Sequence, residues 1–215
     1  MCLRCPRMCD AVPAVCPAAA CLRRDIPIIV TCREVGGEEG WGPLRKDLLS
    51  LGITGGATHV DIEVEAPTVW KEEMIALARQ NGALPLLSLP SCWLPSAIVC
   101  AVADVKVIVS HHNYDSTPDT VELRRIVEEC FTDGADIAKI AVAAQTTQDA
   151  ARVLSLHDDP RQLVLLAMGH KGQITRVAGP LLGAPFTFVA ASEAAATAPG
   201  QLTRVAMGNI YEALM

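Results

Sequence analysis

Two rhythms alternate along the chain from residue 26 onward. Short apolar runs recur at strand length: "IPIIVTC" (26–32), "HVDIEVE" (59–65), "VKVIVSHH" (105–112), "DIAKIAVAA" (136–144), "QLVLLAMG" (162–169) and "PFTFVAA" (185–191). They are rich in Val, Ile and Leu, as strands are. Between them lie segments with helical spacing. "RKDLLSLGI" (45–53) runs out into a glycine pair, and "VWKEEMIALARQNG" (69–82) ends on an Asn-Gly stop. "TPDTVELRRIVEECFTDG" (117–134) has Pro118 in its first turn, Thr117 as the expected cap and Gly134 as the stop. "TTQDAARVLSLHD" (146–158) sets Asp149 and Arg152 on one face, and a last helix is predicted over about 202–214. Strands alternating with helices imply βαβ units and a parallel sheet, either open and doubly wound or closed as a barrel. No glycine-rich phosphate loop follows the first strand, which weakens a nucleotide-binding fold.

Alternation along each strand then separates its two faces. Thr31 and Arg33 share a face, as do Asp61 and Glu63, and Ser110 and His112. Lys139 shares its face with Ile137 and Ala141. Each run thus has one apolar face and one that turns polar toward its C-terminal end. In a barrel the polar faces meet at the C-terminal mouth, where active sites lie. Lys139 is the least ordinary of these residues. Burying an unpaired ammonium costs several kcal/mol, and the usual escape is a lowered pKa. A desolvated, partly neutral lysine attacks carbonyl carbon, so the residues point to Schiff-base chemistry with a histidine at hand for proton transfer. His111 and His59 are read as ordinary strand residues.

Composition sharpens the picture in a few places. The 215 residues suit one domain plus an appendage, and 51% are hydrophobic, ample for a core. A net charge of −6 argues against a nucleic-acid partner. No apolar run approaches the roughly 18 to 20 residues needed to cross a bilayer. The nine cysteines lack regular spacing, with five in the first 21 residues, so they read as reduced thiols in a cytoplasmic setting. Residues 1–25 are read as a Cys-rich irregular extension. A C-x2-C metal pair at Cys2 and Cys5, and a secretory or organellar signal, are the competing readings. Residues 26–215 are read as the α/β domain, with an apolar, proline-broken insertion near 83–104.

Six stretches in order, "IPIIVTCREVGGEEG", "HVDIE", "VIVSHHNYDSTP", "GADIAKIAV", "MGHKGQITR" and "TAPGQL", resemble the type I 3-dehydroquinases. The resemblance covers residues 26–215 and implies a TIM-type (β/α)8 barrel with no metal or nucleotide cofactor. It implies loss of water from 3-dehydroquinate to give 3-dehydroshikimate in the shikimate pathway. By it, Lys139 forms the imine, His112 moves the protons and Glu63 orients the histidine. Arg176, in the loop after strand 162–169 and near a helix start, grips the substrate carboxylate, while Arg33, Thr197 and Gln201 add substrate contacts. The segment Thr197–Gln201 is expected to be a small lid, and a homodimer is implied. The family also has two strands ahead of the one matching 26–32, the second ending in a Glu-x-Arg-x-Asp motif. Residues 1–25 show neither, so the barrel is expected to be incomplete at its N-terminus, those strands missing or replaced. A second reading follows: a catalytically impaired barrel remnant that binds ligand or a partner chain.

Overall fold

Burial on both sides is what the apolar runs call for, and the strands of this chain obtain it by parallel pairing under helices. The computed structural model describes residues 2–4, 27–33, 41–82 and 105–215. The cysteines from Cys5 to Cys21, Cys92, Cys100 and the insertion 83–104 lie outside the described residues. Two compact units are present, Met1–Ile62 with Ala66–Val107, and Glu63–Glu65 with Ile108–Met215.

In the first unit, β1 (Cys2–Arg4), β2 (Ile29–Thr31) and β3 (His59–Glu63, its last residue counted with the second unit) are parallel neighbours. The register sets Leu3 beside Val30, and Thr31 beside Asp61. The stretch read as irregular therefore contributes a three-residue strand at its start; a run so short has no periodicity to detect. Helices α1 (Pro43–Thr54) and α2 (Thr68–Gly82) complete this unit and are joined by the Lys46–Glu73 ion pair. A Cβ on Gly52 would lie 2.4 Å from a methyl of Val30, so only glycine lets α1 approach β2 this closely. Arg45 is buried with its guanidinium 3.9 Å from the Trp41 ring centroid and 5.6 Å from that of Trp70. Two of the chain's three tryptophans are thereby committed to holding one cation.

In the second unit, β4 (Lys106–Asn113), β5 (Ile137–Ala143) and β6 (Leu163–Met168) pair in parallel. Every residue of β6 is buried, and all of β5 but its last. Strands covered on both faces carry continuous apolar sequence rather than alternation. Around them stand α3 (Thr120–Thr132), α4 (Thr147–Leu154), α5 (Gln173–Leu181) and α6 (Arg204–Leu214). The predicted Asp149–Arg152 pair forms at 2.9 Å. Thr146 and Asp149 close a capping box at the start of α4.

Three local expectations are corrected. Asp119, not Thr117, caps α3, its carboxylate accepting from Glu122 N. Thr117 instead donates its hydroxyl to Ala143 O at 2.7 Å, fastening the loop to the end of β5. "PFTFVAA" is not a strand. Among the described residues its β pairing is an isolated parallel bridge between Ala190 and Thr203; strand composition without an adjoining strand makes no ladder. The third correction is α5, which the spacing did not suggest. Its first half carries polar residues that prove to be buried, Thr175 and Arg176.

Thr175 explains how this helix is seated. Its hydroxyl accepts from Ala167 N and donates to Gly172 O, both at 2.8 Å. Gly172 permits the approach, since a Cβ there would sit 2.2 Å from Ala167 O. Thr175→Val keeps the shape and orphans a buried amide, so it should cost about 1 to 3 kcal/mol, read from urea unfolding.

His157 adds a pH dependence. Burial pushes its pKa below the usual value, and its Nε2 is buried without a hydrogen-bond partner. Because the folded pKa lies under the unfolded one, near 6.5, protonation favours unfolding. Its contribution is complete above that pH and is lost as pH falls through the folded value. The drop in urea midpoint between pH 7.5 and pH 5 should be smaller in His157→Gln than in the natural chain.

Candidate functional site

Register decides which polar residues meet. Lys139 lies beside Ser110 in the β4–β5 ladder, and His112 lies beside Ala141. Val64 N donates to Ser110 O at 2.8 Å, which in a parallel ladder sets Glu63 beside Ser110. Glu63, Ser110 and Lys139 thus form one row across neighbouring strands, with side chains on one face. His112 shares that face, one strand over and two residues toward the C-terminal ends. Strand spacing of about 4.8 Å and a rise of about 3.3 Å per residue put the α-carbons of His112 and Lys139 about 8 Å apart.

Lys139 is 6% exposed, in accord with a buried amine. Its Nζ lies 4.6 Å from the centroid of the Phe188 ring. The His112 ring stacks with Tyr114 at 6.2 Å between centroids, and Tyr114 is exposed. Next to it in sequence, His111 Nδ1 and Glu65 Oε1 are 2.5 Å apart, an edge contact pointing the other way along the pleat.

Arg176 belongs to the first turn of α5 rather than to a loop. At 2% exposure it is among the most deeply buried side chains of the chain. Its Nη1 donates to Phe188 O at 3.5 Å, and its Nε is buried with no hydrogen-bond partner. Burial pushes the guanidinium pKa down from its usual value. A buried guanidinium with a spare donor is suited to an anion, above all a planar carboxylate. Lys139 and Arg176 therefore converge on the two ends of one residue, the ring and the carbonyl of Phe188. That phenylalanine was absent from the residues the sequence singled out. The alternation Phe186, Thr187, Phe188 held a signal, but its run read as plain strand.

Thr197 and Gln201 are joined to each other. Gln201 Oε1 accepts from Thr197 N at 2.8 Å and from the Thr197 hydroxyl at 3.2 Å. Their loop is fastened at the C-terminal end of β6, where Gly169 N donates to Pro199 O at 3.0 Å. Arg33 belongs to the first unit, where its Nη2 donates to Asp61 Oδ2 at 2.8 Å, with the Asp61 side chain 1% exposed. Glu63, His112, Lys139 and Arg176 are thus gathered within the second unit, and Thr197 and Gln201 stand at its strand ends. No cluster of three or more His, Cys, Asp or Glu suited to a metal occurs among the described residues. Among them, too, no helix is long and apolar enough to cross a membrane.

The chain is similar to several known proteins. A family model described as type I 3-dehydroquinase matches residues 97–215. A 3-dehydroquinate dehydratase of Methanosarcina barkeri is 32% identical over 198 residues, covering 88% of this chain and 73% of that protein. One from Dehalococcoides mccartyi is 29% identical over 193 residues, covering 87% and 76%. A solved type I 3-dehydroquinate dehydratase from Clostridium difficile, bearing covalently modified comenic acid, superposes with a TM-score of 0.68 at 25% identity. That match covers 88% of this chain and 69% of the solved one. The 3-dehydroquinate dehydratase of Geobacillus kaustophilus gives the same TM-score at 25% identity, covering 93% and 73%. The strand–helix alternation called for a parallel α/β fold and the resemblance for a barrel; both agree with these likenesses and with the parallel ladders.

The loop at 197–201 has one sterically decisive position. Gly200 has φ +74°, and a Cβ there would lie 2.4 Å from Gly169 O. Gly200→Ala should release the contact between the loop and β6. The measurement is amide exchange at Gly169, expected to accelerate while exchange within β5 is unchanged.

Proposed function

Because the chain belongs to the type I 3-dehydroquinase family, we propose that it dehydrates 3-dehydroquinate to 3-dehydroshikimate through an imine on Lys139. The observation that carries this reading is the buried Lys139 amine on the face that His112 shares, with the Arg176 guanidinium at the same phenylalanine.

The amine attacks the C3 ketone, and loss of water leaves a protonated imine. That cation is an electron sink, so the neighbouring C2–H becomes acidic. His112 takes the C2 proton and the electron pair passes into the imine to give an enamine; the enamine then expels the C1 hydroxyl, protonated by the same imidazole, forming the C1–C2 double bond and restoring the imine. An imidazole titrates near neutrality and suits both steps. Hydrolysis of the imine returns the lysine and releases the product, so the net change is the loss of one water. Glu63, in the row with Lys139, orients His112 and meets substrate hydroxyls. Arg176 binds the carboxylate through its spare donor, and Thr197 and Gln201 supply further contacts. A place in the shikimate pathway, a cytoplasmic location and a homodimer belong to the same reading.

Borohydride reduction in the presence of 3-dehydroquinate should leave a mass adduct on the peptide bearing Lys139. No adduct there, or an adduct that survives Lys139→Ala, defeats the reading. Ligand binding without turnover would favour the impaired-barrel alternative. His112→Ala should slow turnover by about 100-fold or more yet still allow the adduct, since imine formation precedes proton abstraction. Arg176→Lys should mainly weaken binding, because an ammonium cannot reproduce the paired fork.

A further inference from the structure

Phe188 touches the nucleophile with its ring while its own backbone carbonyl holds the anion-binding group. A cation at 4.6 Å from a ring centroid lies within cation–π range. The carbonyl of the same residue accepts from Arg176 at 3.5 Å. Phe188 stands in a segment that is tied down beyond it, where Ala190 N donates to Leu202 O at 2.8 Å and Arg204 N to Ala190 O at 2.9 Å. The ring is further braced edge-on by Phe186, 5.6 Å between centroids.

We propose that Phe188 is a positioning residue acting through Lys139: its ring face holds the amine as a cation and directs it, while its carbonyl keeps Arg176 alongside. The catalytic consequence rests on the dehydratase reading above; the contact itself does not. The ring quadrupole attracts the ammonium and, equally, the protonated imine that forms on the same nitrogen. It opposes the desolvation that burial imposes on that charge. Other charges also face Lys139. Glu63 stands in its row beyond Ser110, His112 lies on the diagonal, and Arg176 shares Phe188. On the β6 side its neighbours Val164 and Leu166 carry none. Changing only the ring leaves all of these in place.

The chain has five lysines, so the full-length protein labelled with 13C at lysine Cε gives few signals, and Lys139→Met identifies that of Lys139. Phe188→Leu keeps apolar cover over the amine and removes the quadrupole, whereas Phe188→Tyr retains the ring. The Lys139 titration midpoint should fall by about half a unit to one unit in Phe188→Leu and hold in Phe188→Tyr. Phe188→Met serves as a second ring-free variant, with the same shift expected should Phe188→Leu not fold. An unchanged midpoint without the ring, or equal shifts in Leu and Tyr variants, overturns the proposal. The titration needs no turnover, so a natural chain that fails to dehydrate 3-dehydroquinate sinks the functional reading and leaves this one standing. In the active enzyme the acid limb of kcat/KM should move down with the midpoint while KM is kept, because the carbonyl that receives Arg176 persists. An acid limb that stays in place removes the catalytic role.

Discussion

Everything at this site depends on keeping a lysine amine inside a strand covered on both faces. Water would solvate the ammonium freely; the interior does not, and the loss is worth several kcal/mol unless other groups answer it. Here the answer comes from two sides. The parallel ladder lines Lys139 up with Ser110 and Glu63, and an aromatic ring lies against the amine itself. A buried amine held this way suits the attack on a ketone proposed for Lys139.

The remaining features follow from where the strands end. Loops at the C-terminal ends of β4, β5 and β6 are fastened rather than loose. Thr117 is tied to Ala143, Pro199 to Gly169, and α5 is seated on β6 through Thr175. Fastening matters because displacement of a reacting group by about 1 Å can lower a rate by about 100-fold. Arg176 gains from the same seating. Thr175, its neighbour in sequence, occupies the amide of Ala167 and sets the helix close to the strand, which leaves the guanidinium buried beside Phe188.

Much of the fold was legible as periodicity. The runs at 59–65, 105–112, 136–144 and 162–169 became parallel strands, and the helical spacings at 45–53, 69–82, 117–134 and 146–158 became helices. The failures have particular causes. The run at 185–191 has the residues of a strand, but strand formation needs a partner that composition does not specify. Helix α5 was hidden because its buried face includes threonine and arginine, which a hydrophobic pattern counts as surface. For the same reason Arg176 was assigned to a loop. Thr117 looked like a cap because it precedes Pro118; the carboxylate of Asp119 took the role, and the hydroxyl found a carbonyl 26 residues away.

By itself the sequence determined the parallel α/β class, the strand faces on which Glu63, His112 and Lys139 lie, and the oddity of a lysine among Ile and Val. These are consequences of local periodicity, which the order of residues contains completely. The tertiary structure alone decided the register that sets Glu63, Ser110 and Lys139 in one row, the burial of Arg176, and the meeting of both cations at Phe188. Register and burial come from which elements pack together, and no stretch of sequence carries that information without its distant partners.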